Sequence, residues 1–429
     1  MMQKVKIDRS KPILVEAIDE NLDIQHGSSA SICFRIADLG CSIGPNTFTS
    51  VKNLIEAIKQ KHQIEGQTTR IPEFQVFFND HVDNDFNALF TNFPPDRPNF
   101  AAGVPGSFHS RLFPKACLNF VDSANALHWL SHAFNKGRIY YTNEHKEVAN
   151  IIFLKTLHLS HNLSTAPAAT EKVKIDRSKP ILVEAIDENL DIQHGSSASI
   201  CFRIADLGCS IGPNTFTSVK NLIEAIKQKH QIEGQTTRIP EFQVFFNDHV
   251  DNDFNALFTN FPPDRPNFAA GVPGSFHSRL FPKACLNFVD SANALHWLSH
   301  AFNKGRIYYT NEHKEVDGTA LAESSISPYL LPLESSLLDM TSQGILSNAK
   351  IDSFNVPLYS PLSEELKMTV QRNECFDIVK LETLGFKSVR LLSMQECRAV
   401  FEEITKKHFG GEIVEDLFDQ HNHQKTLWW

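Results

Sequence analysis

An internal repeat constrains this chain more than any other feature of its sequence. Residues 4–148 recur without a substitution as residues 172–316, so a unit of 145 residues appears twice in a chain of 429. Solenoid repeats are about 20 to 50 residues long, so a unit of this size is a domain-sized piece copied whole. Whatever one copy folds into, the chain must accommodate it twice.

The repeat divides the chain into four segments. We expect a partial core, copy one, at 1–148, a linker at 149–171, a second core, copy two, at 172–316, and a C-terminal region at 317–429. In the C-terminal region, Ser393 and Glu396 have the spacing of a capping box that opens a helix, and Gly410 predicts where that helix ends. This region therefore reads as a mainly helical cap together with the remainder of the core.

Composition and charge narrow the class of partner. The formal net charge of −9 provides no basic field of the kind that binds nucleic acid or an anionic membrane surface. The most apolar part of the linker, Ala149 to Leu159, is too short to cross a bilayer. The eight cysteines form no CxxC pair and no zinc pattern, which favours reduced thiols. We expect a cytoplasmic protein that binds a small molecule, with neither nucleic acid nor membrane as a partner.

Each copy alternates predicted strands and helices. Alternating apolar residues at 32–36 predict a first strand, and the apolar residues at 51, 54, 55 and 58 share one face of the helix that follows. A second strand is predicted at 73–78 and a third at 117–121. This alternation is typical of a parallel α/β sheet of the Rossmann type, in which ligands bind at the carboxyl ends of the strands.

A glycine turn after the first strand carries the clearest chemical signal. The strand ends near Asp38, and Gly40 and Gly44 follow at the start of the helix. Glycines in this position let backbone N–H groups approach a ligand, while the carboxylate accepts from an ammonium or hydroxyl group. The turn alone fits an ordinary tight turn equally well. With Asp80 at the end of the second strand, it favours a sheet that holds a nucleoside cofactor.

Several segments in series resemble the signatures of one family. In copy one these are IADLGCSIGPNT at 36–47, PEFQVFFND at 72–80, GVPGSF at 103–108 and LHWLS at 127–131, all repeated in copy two; the tail adds SLLDM at 336–340, DSFNVP at 352–357 and HFG at 408–410. In this order they resemble the motifs of the plant SABATH methyltransferases. The resemblance implies a Rossmann-like class I methyltransferase sheet and S-adenosyl-L-methionine as methyl donor. It also implies a methyl ester as product, from a small plant carboxylic acid such as a salicylate, jasmonate, nicotinate or terpenoid acid.

The resemblance also implies roles for individual positions. Cofactor contacts fall on Asp38, Cys41, Asn46, Asp80, Ser107 and Phe108 in copy one, and on Asp206, Cys209, Asn214, Asp248, Ser275 and Phe276 in copy two. The acceptor carboxylate would be held by His128, Trp129 and Gln3, or by His296 and Trp297, with Glu171 where copy one has Gln3. A magnesium ion, found in some members, would take Asn135 or Asn303 with Asp352, Phe354 and Asn355. From the residues alone, 352–355 fit a turn better than a metal site.

Two alternative functions stay open. The sequence skips a family stretch after Val316, and the family segment that closes over the cofactor is not found before Gln3 or Glu171. The second hypothesis is therefore a non-catalytic relic that binds the cofactor or dimerises. The third is a nicotinamide oxidoreductase, which the spacing of Gly40 and Gly44 disfavours because it is not GxGxxG. The oligomeric state is left open, with a homodimer as one option, and copy two is expected to form the working site because it runs directly into the cap.

Overall fold

A computed structural model describes most of both copies and part of the C-terminal region. The described residues are 11–12, 14–16, 18–20, 22, 33–64, 71–123, 152–153, 168–190, 201–232, 239–291, 294, 327–354, 367–368 and 394–425. The chain divides into two compact units, one formed by Met1–Leu154 with Lys179–Asp290 and the other by Lys155–Ser178 with Ser291–Trp429.

Copy one is a small parallel sheet with helices between its strands. Its elements are β1 (Cys33–Leu39), α1 (Pro45–Ile64), β2 (Glu73–Asp80), α2 (Phe86–Thr91), β3 (Phe100–Pro105) and β4 (Phe120–Asp122). The strands lie in the order β4-β1-β2-β3, and every neighbouring pair is parallel. This is the predicted Rossmann-type arrangement.

Copy two repeats this sheet, and the two sheets join. The elements that follow β4 are β5 (Ile152–Phe153), α3 (Ala168–Asn189), β6 (Cys201–Leu207), α4 (Pro213–Ile232), β7 (Glu241–Asp248), α5 (Phe254–Thr259), β8 (Phe268–Pro273) and β9 (Phe288–Asp290). Together they form a nine-stranded sheet in the order β4-β1-β2-β3-β8-β7-β6-β9-β5. Only the junction between β3 and β8 is antiparallel among the pairs of this sheet that the structure describes.

Local sequence explains most of these elements. The apolar face predicted for the first helix is the buried face of α1, formed by Val51, Leu54, Ile55 and Ile58. The two first predicted strands are confirmed as β1 and β2, and the third is confirmed as the shorter β4. The strand β3 was not predicted because its sequence, FAAGVP, contains glycine and proline, which normally weaken a strand.

The glycine in β3 has a packing function. A Cβ atom at Gly103 would lie 2.5 Å from the Cζ atom of Phe90 and 3.0 Å from a ring carbon of Phe86. The helix α2 can therefore approach the sheet closely only because this position has no side chain. Gly271 of copy two has the same relation to Phe258.

Within the described ranges of 327–425, the second unit has four helices that share a core. They are α6 (Ser327–Ser342), α7 (Asn348–Asp352), α8 (Met394–Phe409) and α9 (Gly411–Lys425). Leu337, Phe401 and Leu417 are fully buried in this core. The predicted end of α8 is confirmed, since Gly410 has φ 100, a left-handed conformation that favours glycine. None of the helices in the described ranges is long and apolar enough to cross a membrane.

Candidate functional site

Three carboxylates meet at one edge of the sheet in each copy. In copy one, β4 and β2 lie on either side of β1, and the register places Asp122 beside Asp38. Asp80 ends the next strand, so all three side chains belong to the carboxyl ends of parallel strands. Copy two repeats the arrangement with Asp206, Asp248 and Asp290. Ligands of open α/β sheets bind at this edge.

Asp38 is the most buried of the three in copy one. It is 5% exposed, and it accepts a hydrogen bond from the hydroxyl of Thr47 in the first turn of α1. Burial raises the pKa of Asp38 to about 7, the bond from Thr47 opposes the rise, and Asp122 and Asp80 add to it. An ionised Asp38 is therefore costly without a cation or further donors beside it.

Asp80 fixes the glycine turn. Its Oδ2 accepts from the backbone N–H of Ser42 at 2.6 Å, and its Oδ1 accepts from the N–H of His81 at 2.7 Å. Ser42 has φ 57 and Gly40 has φ 73, so the chain bends sharply where β1 leads into α1. The backbone carbonyl of Asp80 accepts from Gly106 at 2.8 Å, which ties the segment after β3 to the same strand end.

The buried Asn79 connects the same two loops. Its backbone carbonyl accepts from Gly40 at 2.8 Å and from Cys41 at 3.0 Å. Its side-chain amide donates to the carbonyl of Val104 at 2.8 Å and to that of Gly106 at 2.9 Å. The glycine turn and the start of the loop after β3 are therefore held by one side chain and one carbonyl.

Copy two has the same contacts, and the pKa of its buried Asp206 is also raised. Burial raises the pKa of Asp206 to about 8, Asp290 adds to the rise, Thr215 opposes it and Asp248 adds further. Burial also raises the pKa of Asp248, although it accepts from the N–H groups of Ser210 and His249, each at 2.7 Å. We call the sheet edge formed by these three aspartates in each copy the acidic edge. In both copies, ionising the acidic edge therefore costs free energy.

The remaining predicted cofactor residues lie on the adjoining loops. Asn46 and Asn214 are the second residues of α1 and α4, and the pairs Ser107–Phe108 and Ser275–Phe276 follow β3 and β8. Cys41 and Cys209 are buried, each donating through sulfur to the next carbonyl at 3.3 Å. Burial raises the pKa of both thiols well above its usual value, so neither is a nucleophile at neutral pH.

Most of the predicted acceptor and metal residues lie outside the part of the chain that the structure describes. Gln3, His128, Trp129, His296, Trp297, Asn135, Asn303 and Asn355 lie outside the described residues, as does the side chain of Asp352. Phe354 is buried in the core of the second unit, with its ring 4.8 Å from that of Phe409. Among the side chains that the structure describes, no group of three or more His, Cys, Asp or Glu residues could hold a metal ion. The magnesium site therefore stays a prediction.

Two residues of the acidic edge, Asp122 and Thr47, were not predicted from the sequence. Asp122 accepts from the hydroxyl of Ser50 at 3.3 Å, and burial raises its pKa. Thr47 belongs to the glycine motif, but nothing in the pattern showed that its hydroxyl would turn back onto Asp38. The signal for Asp122 was present, because it follows the third predicted strand as Asp80 follows the second.

The acidic edge fits a cationic ligand that carries hydroxyl groups. Buried carboxylates that raise one another's pKa are relieved by a positive charge beside them. A Cβ atom at Gly44 would meet no atom within 4 Å in the part of the chain that the structure describes, so there is open space beside the turn. S-adenosyl-L-methionine has an ammonium, a sulfonium and two ribose hydroxyls, and the residues present fit it.

Comparison with known proteins identifies the family. The family described as "SAM dependent carboxyl methyltransferase" matches residues 1–155, 166–320 and 315–427. The chain is 37% identical over 306 residues to loganic acid O-methyltransferase of Catharanthus roseus, covering 58% of this chain and 81% of that protein. It is 34% identical over 318 residues to farnesoic acid carboxyl-O-methyltransferase of Arabidopsis thaliana, covering 63% of this chain and 86% of that protein.

A more distant relative and a solved structure complete the comparison. The chain is 31% identical over 321 residues to 3,7-dimethylxanthine N-methyltransferase 2 of Coffea arabica, covering 56% of this chain and 83% of that protein. The solved structure of loganic acid methyltransferase with SAH matches with a TM-score of 0.53 and 35% identity, over 62% of this chain and 89% of that one. The chain belongs to the family of SAM-dependent carboxyl methyltransferases, and it contains one region of that family twice.

Proposed function

We propose that the chain transfers a methyl group from S-adenosyl-L-methionine to the carboxylate of a small plant acid, and that the working site lies in copy two. The observation that carries the proposal is the buried cluster of Asp206, Asp248 and Asp290 at adjacent strand ends, in a chain of this family. Copy two is favoured because its sequence continues directly into residues 317–429.

Two of these acids have distinct proposed roles toward the cofactor. Asp206 is 4% exposed and has a strongly raised pKa, so a cationic ammonium beside it would restore its charge. Asp248 accepts one backbone N–H on each oxygen, which fixes its orientation and leaves lone pairs for ribose hydroxyls. Ser275 and Phe276 are proposed as further contacts from the loop after β8.

Methyl transfer to a carboxylate requires correct positioning of the two reactants more than it requires proton transfer. The cofactor supplies a methyl group already activated by the sulfonium, and an acceptor carboxylate is ionised near neutral pH without a general base. The carbon–sulfur bond breaks as an oxygen–carbon bond forms, giving a methyl ester and S-adenosylhomocysteine. Orienting the two reactants can contribute roughly 7 kcal/mol or more to the lowering of the barrier. His296 and Trp297 are proposed to hold the acceptor through their ring N–H groups.

The acceptor is proposed to be a carboxylic acid. Two relatives are named for loganic acid and farnesoic acid, which supports an acid acceptor, whereas a third is named for N-methylation of a xanthine. Within the acids, the terpenoid type is the one that these two names favour over salicylate, jasmonate or nicotinate. A bound magnesium ion and a homodimer are further parts of this proposal.

Turnover with methyl-labelled S-adenosyl-L-methionine tests the proposal. The panel is loganic, farnesoic, salicylic, jasmonic and nicotinic acids, with 3,7-dimethylxanthine as the nitrogen acceptor, each with and without a chelator. We expect a labelled methyl ester from at least one acid and none of the N-methyl product. Binding of S-adenosylhomocysteine without turnover on any acid would instead identify the chain as a non-catalytic relic. Binding of a nicotinamide cofactor in its place would identify an oxidoreductase.

A further inference from the structure

The two copies contact each other through identical surfaces. β3 and β8 pair antiparallel at Gly103 and Gly271, so a pseudo-two-fold axis passes between them. The ring of Phe86 in α2 lies 4.8 Å from that of Phe258 in α5, with an interplanar angle of 88°. Phe90 and Phe254 repeat this contact with the copies exchanged, again at 4.8 Å and 88°. Such an interface is isologous, the type that normally joins two subunits of a dimer.

Polar contacts obey the same symmetry. The side-chain oxygen of Asn255 accepts from the N–H of Phe86 at 2.8 Å, at the first turn of α2. Asn87 accepts in the same way from the N–H of Phe254 at 2.8 Å. Each copy therefore supplies a second acceptor to a helix donor of the other, since these N–H groups also donate to the carbonyls of Asn84 and Asn252 at 3.0 Å. Two hydrophobic clusters, one including Val76 and Val244 and the other Phe77 and Phe245, each contain residues of both copies.

One acidic residue of copy one holds a loop of copy two. Both oxygens of Glu73 accept from the guanidinium of Arg279, at 2.7 and 2.6 Å, in a bidentate pair. Glu73 also accepts from the backbone N–H of Lys283 at 2.7 Å. The guanidinium lies over the ring of Phe100, 5.0 Å from its centre. Copy one thus contacts this loop by charge, by a backbone bond and by an aromatic ring.

This loop connects the interface to the cofactor edge. It follows β8 and Gly274, begins with Ser275 and Phe276, the proposed cofactor contacts, and continues through Arg279 and Lys283. At its start, Gly274 donates to the backbone carbonyl of Asp248 at 2.8 Å. The strand end of copy two therefore fixes one end of the loop, while Glu73 of copy one fixes its middle at Arg279 and its other end at Lys283. Bidentate arginine–carboxylate pairs add geometric specificity that a single contact lacks.

We propose that copy one acts as a built-in partner subunit for copy two, with Glu73 as the positioning residue of the cofactor loop at residues 275–283. The proposal rests on the proposed function, in which copy two carries the working site. Glu73 touches neither reactant in this account. It acts by holding the segment that places Ser275 and Phe276 beside the cofactor.

The repeat supplies a matched control for the test. In the contact related by the pseudo-two-fold axis, Glu241 of copy two accepts from the side chain of Arg111 and from the backbone N–H of Lys115. Glu241 thereby holds the equivalent loop of copy one. Glu73→Ala and Glu241→Ala therefore remove the same side chain from equivalent positions of one interface but release different cofactor loops, although Arg279 makes two bonds to Glu73 and Arg111 makes one to Glu241.

Steady-state kinetics and calorimetry of S-adenosylhomocysteine binding give the readout. We expect Glu73→Ala to raise both the KM for S-adenosyl-L-methionine and the Kd for S-adenosylhomocysteine about tenfold, because a charge-assisted contact is lost. The kcat should stay within about twofold of the parent. Glu73→Gln should recover part of the affinity, because the amide still accepts from Lys283. Glu241→Ala should leave both constants unchanged. Equal effects of the two alanine variants, or none, would overturn the positioning role.

The reverse pattern separates the two proposals. If Glu241→Ala raises KM and Glu73→Ala does not, loop positioning across the copies holds but the working site is in copy one. A mixing experiment tests whether the partner is supplied within one chain. Glu73→Ala chains and Asp206→Asn chains, mixed in equal amounts, should show no more activity than the two assayed apart. Recovery in the mixture would mean that a second chain supplies Glu73, and the built-in partner would be wrong.

Discussion

The two copies share one sequence but not one environment. On the copy two side, the parallel strand β5 from residues 152–153 covers β9, whereas β4 of copy one ends the strand order among the described strands. The pKa of Asp206 is raised to about 8 and that of Asp38 to about 7. Because the residues are the same, these differences come from neighbours. The additional strand β5 shows that a repeat in sequence does not give the two copies identical surroundings.

The pH dependence of cofactor affinity is the largest effect that this comparison predicts. Below pH 8 the buried Asp206 is protonated in the free protein, and pairing with an ammonium requires it to lose that proton. Affinity for S-adenosylhomocysteine should therefore rise about tenfold per pH unit up to about pH 8 and then level off. Calorimetry between pH 6 and 9 measures this. An affinity that does not change between pH 6 and 8 would contradict the role of Asp206.

Stability should have the opposite pH dependence. The pKa of Asp206 is raised in the folded state from 3.8, so its contribution to stability is present below about pH 4 and is lost as the pH rises toward 8. Asp206→Asn removes the titrating group, so the gain in melting temperature of the variant over the parent should be larger at pH 8 than at pH 5. Thermal unfolding of both proteins at the two pH values tests this, and an equal difference at both would contradict it.

Glycine substitutions at the junction test whether the copies share one core. Alanine at Gly103 or at Gly271 would meet a phenylalanine ring of its own copy at 2.5 or 2.6 Å. Each should destabilise the first unit by about 1–3 kcal/mol, the usual cost of overpacking. Because the two hydrophobic clusters each contain residues of both copies, either variant should lower the unfolding midpoint of both in one transition. Two separate transitions, with only one shifted, would show that the copies fold independently.

The reciprocal helix contacts predict the smallest effect. Asn87→Ala and Asn255→Ala each remove an acceptor from the first turn of the opposite helix and should cost about 1 kcal/mol apiece. Chemical denaturation of the two single variants and the double variant measures the cost. Symmetry predicts equal single effects, and a marked inequality would show that the interface is not two-fold.

The sequence was sufficient where structure depends on local pattern. β1, α1 and β2 follow from alternation and helical spacing, and the acidic strand ends Asp38 and Asp80 meet as expected. The family resemblance and its fold are confirmed by the comparisons. The assigned roles of the site residues stay predictions.

Other features depend on contacts distant in sequence. The pairing of β3 with β8 could not be predicted, because identical copies give no pattern that says which edges meet. The sequence shows that Asp122 follows a predicted strand, but its position beside Asp38 arises from the register of β4 with β1. The strand β5 lies within the segment predicted as a linker, where its apolar residues pair with β9.

The central claim is that copy two forms the working site, and turnover of two single variants tests it most directly. Asp38→Asn and Asp206→Asn make the same change at equivalent positions, so each serves as the control for the other. We predict that Asp206→Asn lowers kcat/KM about tenfold or more, as expected for loss of a charge-assisted bond, while Asp38→Asn stays within about twofold of the parent. Loss of activity in Asp38→Asn with activity retained in Asp206→Asn would contradict the claim and place the site in copy one.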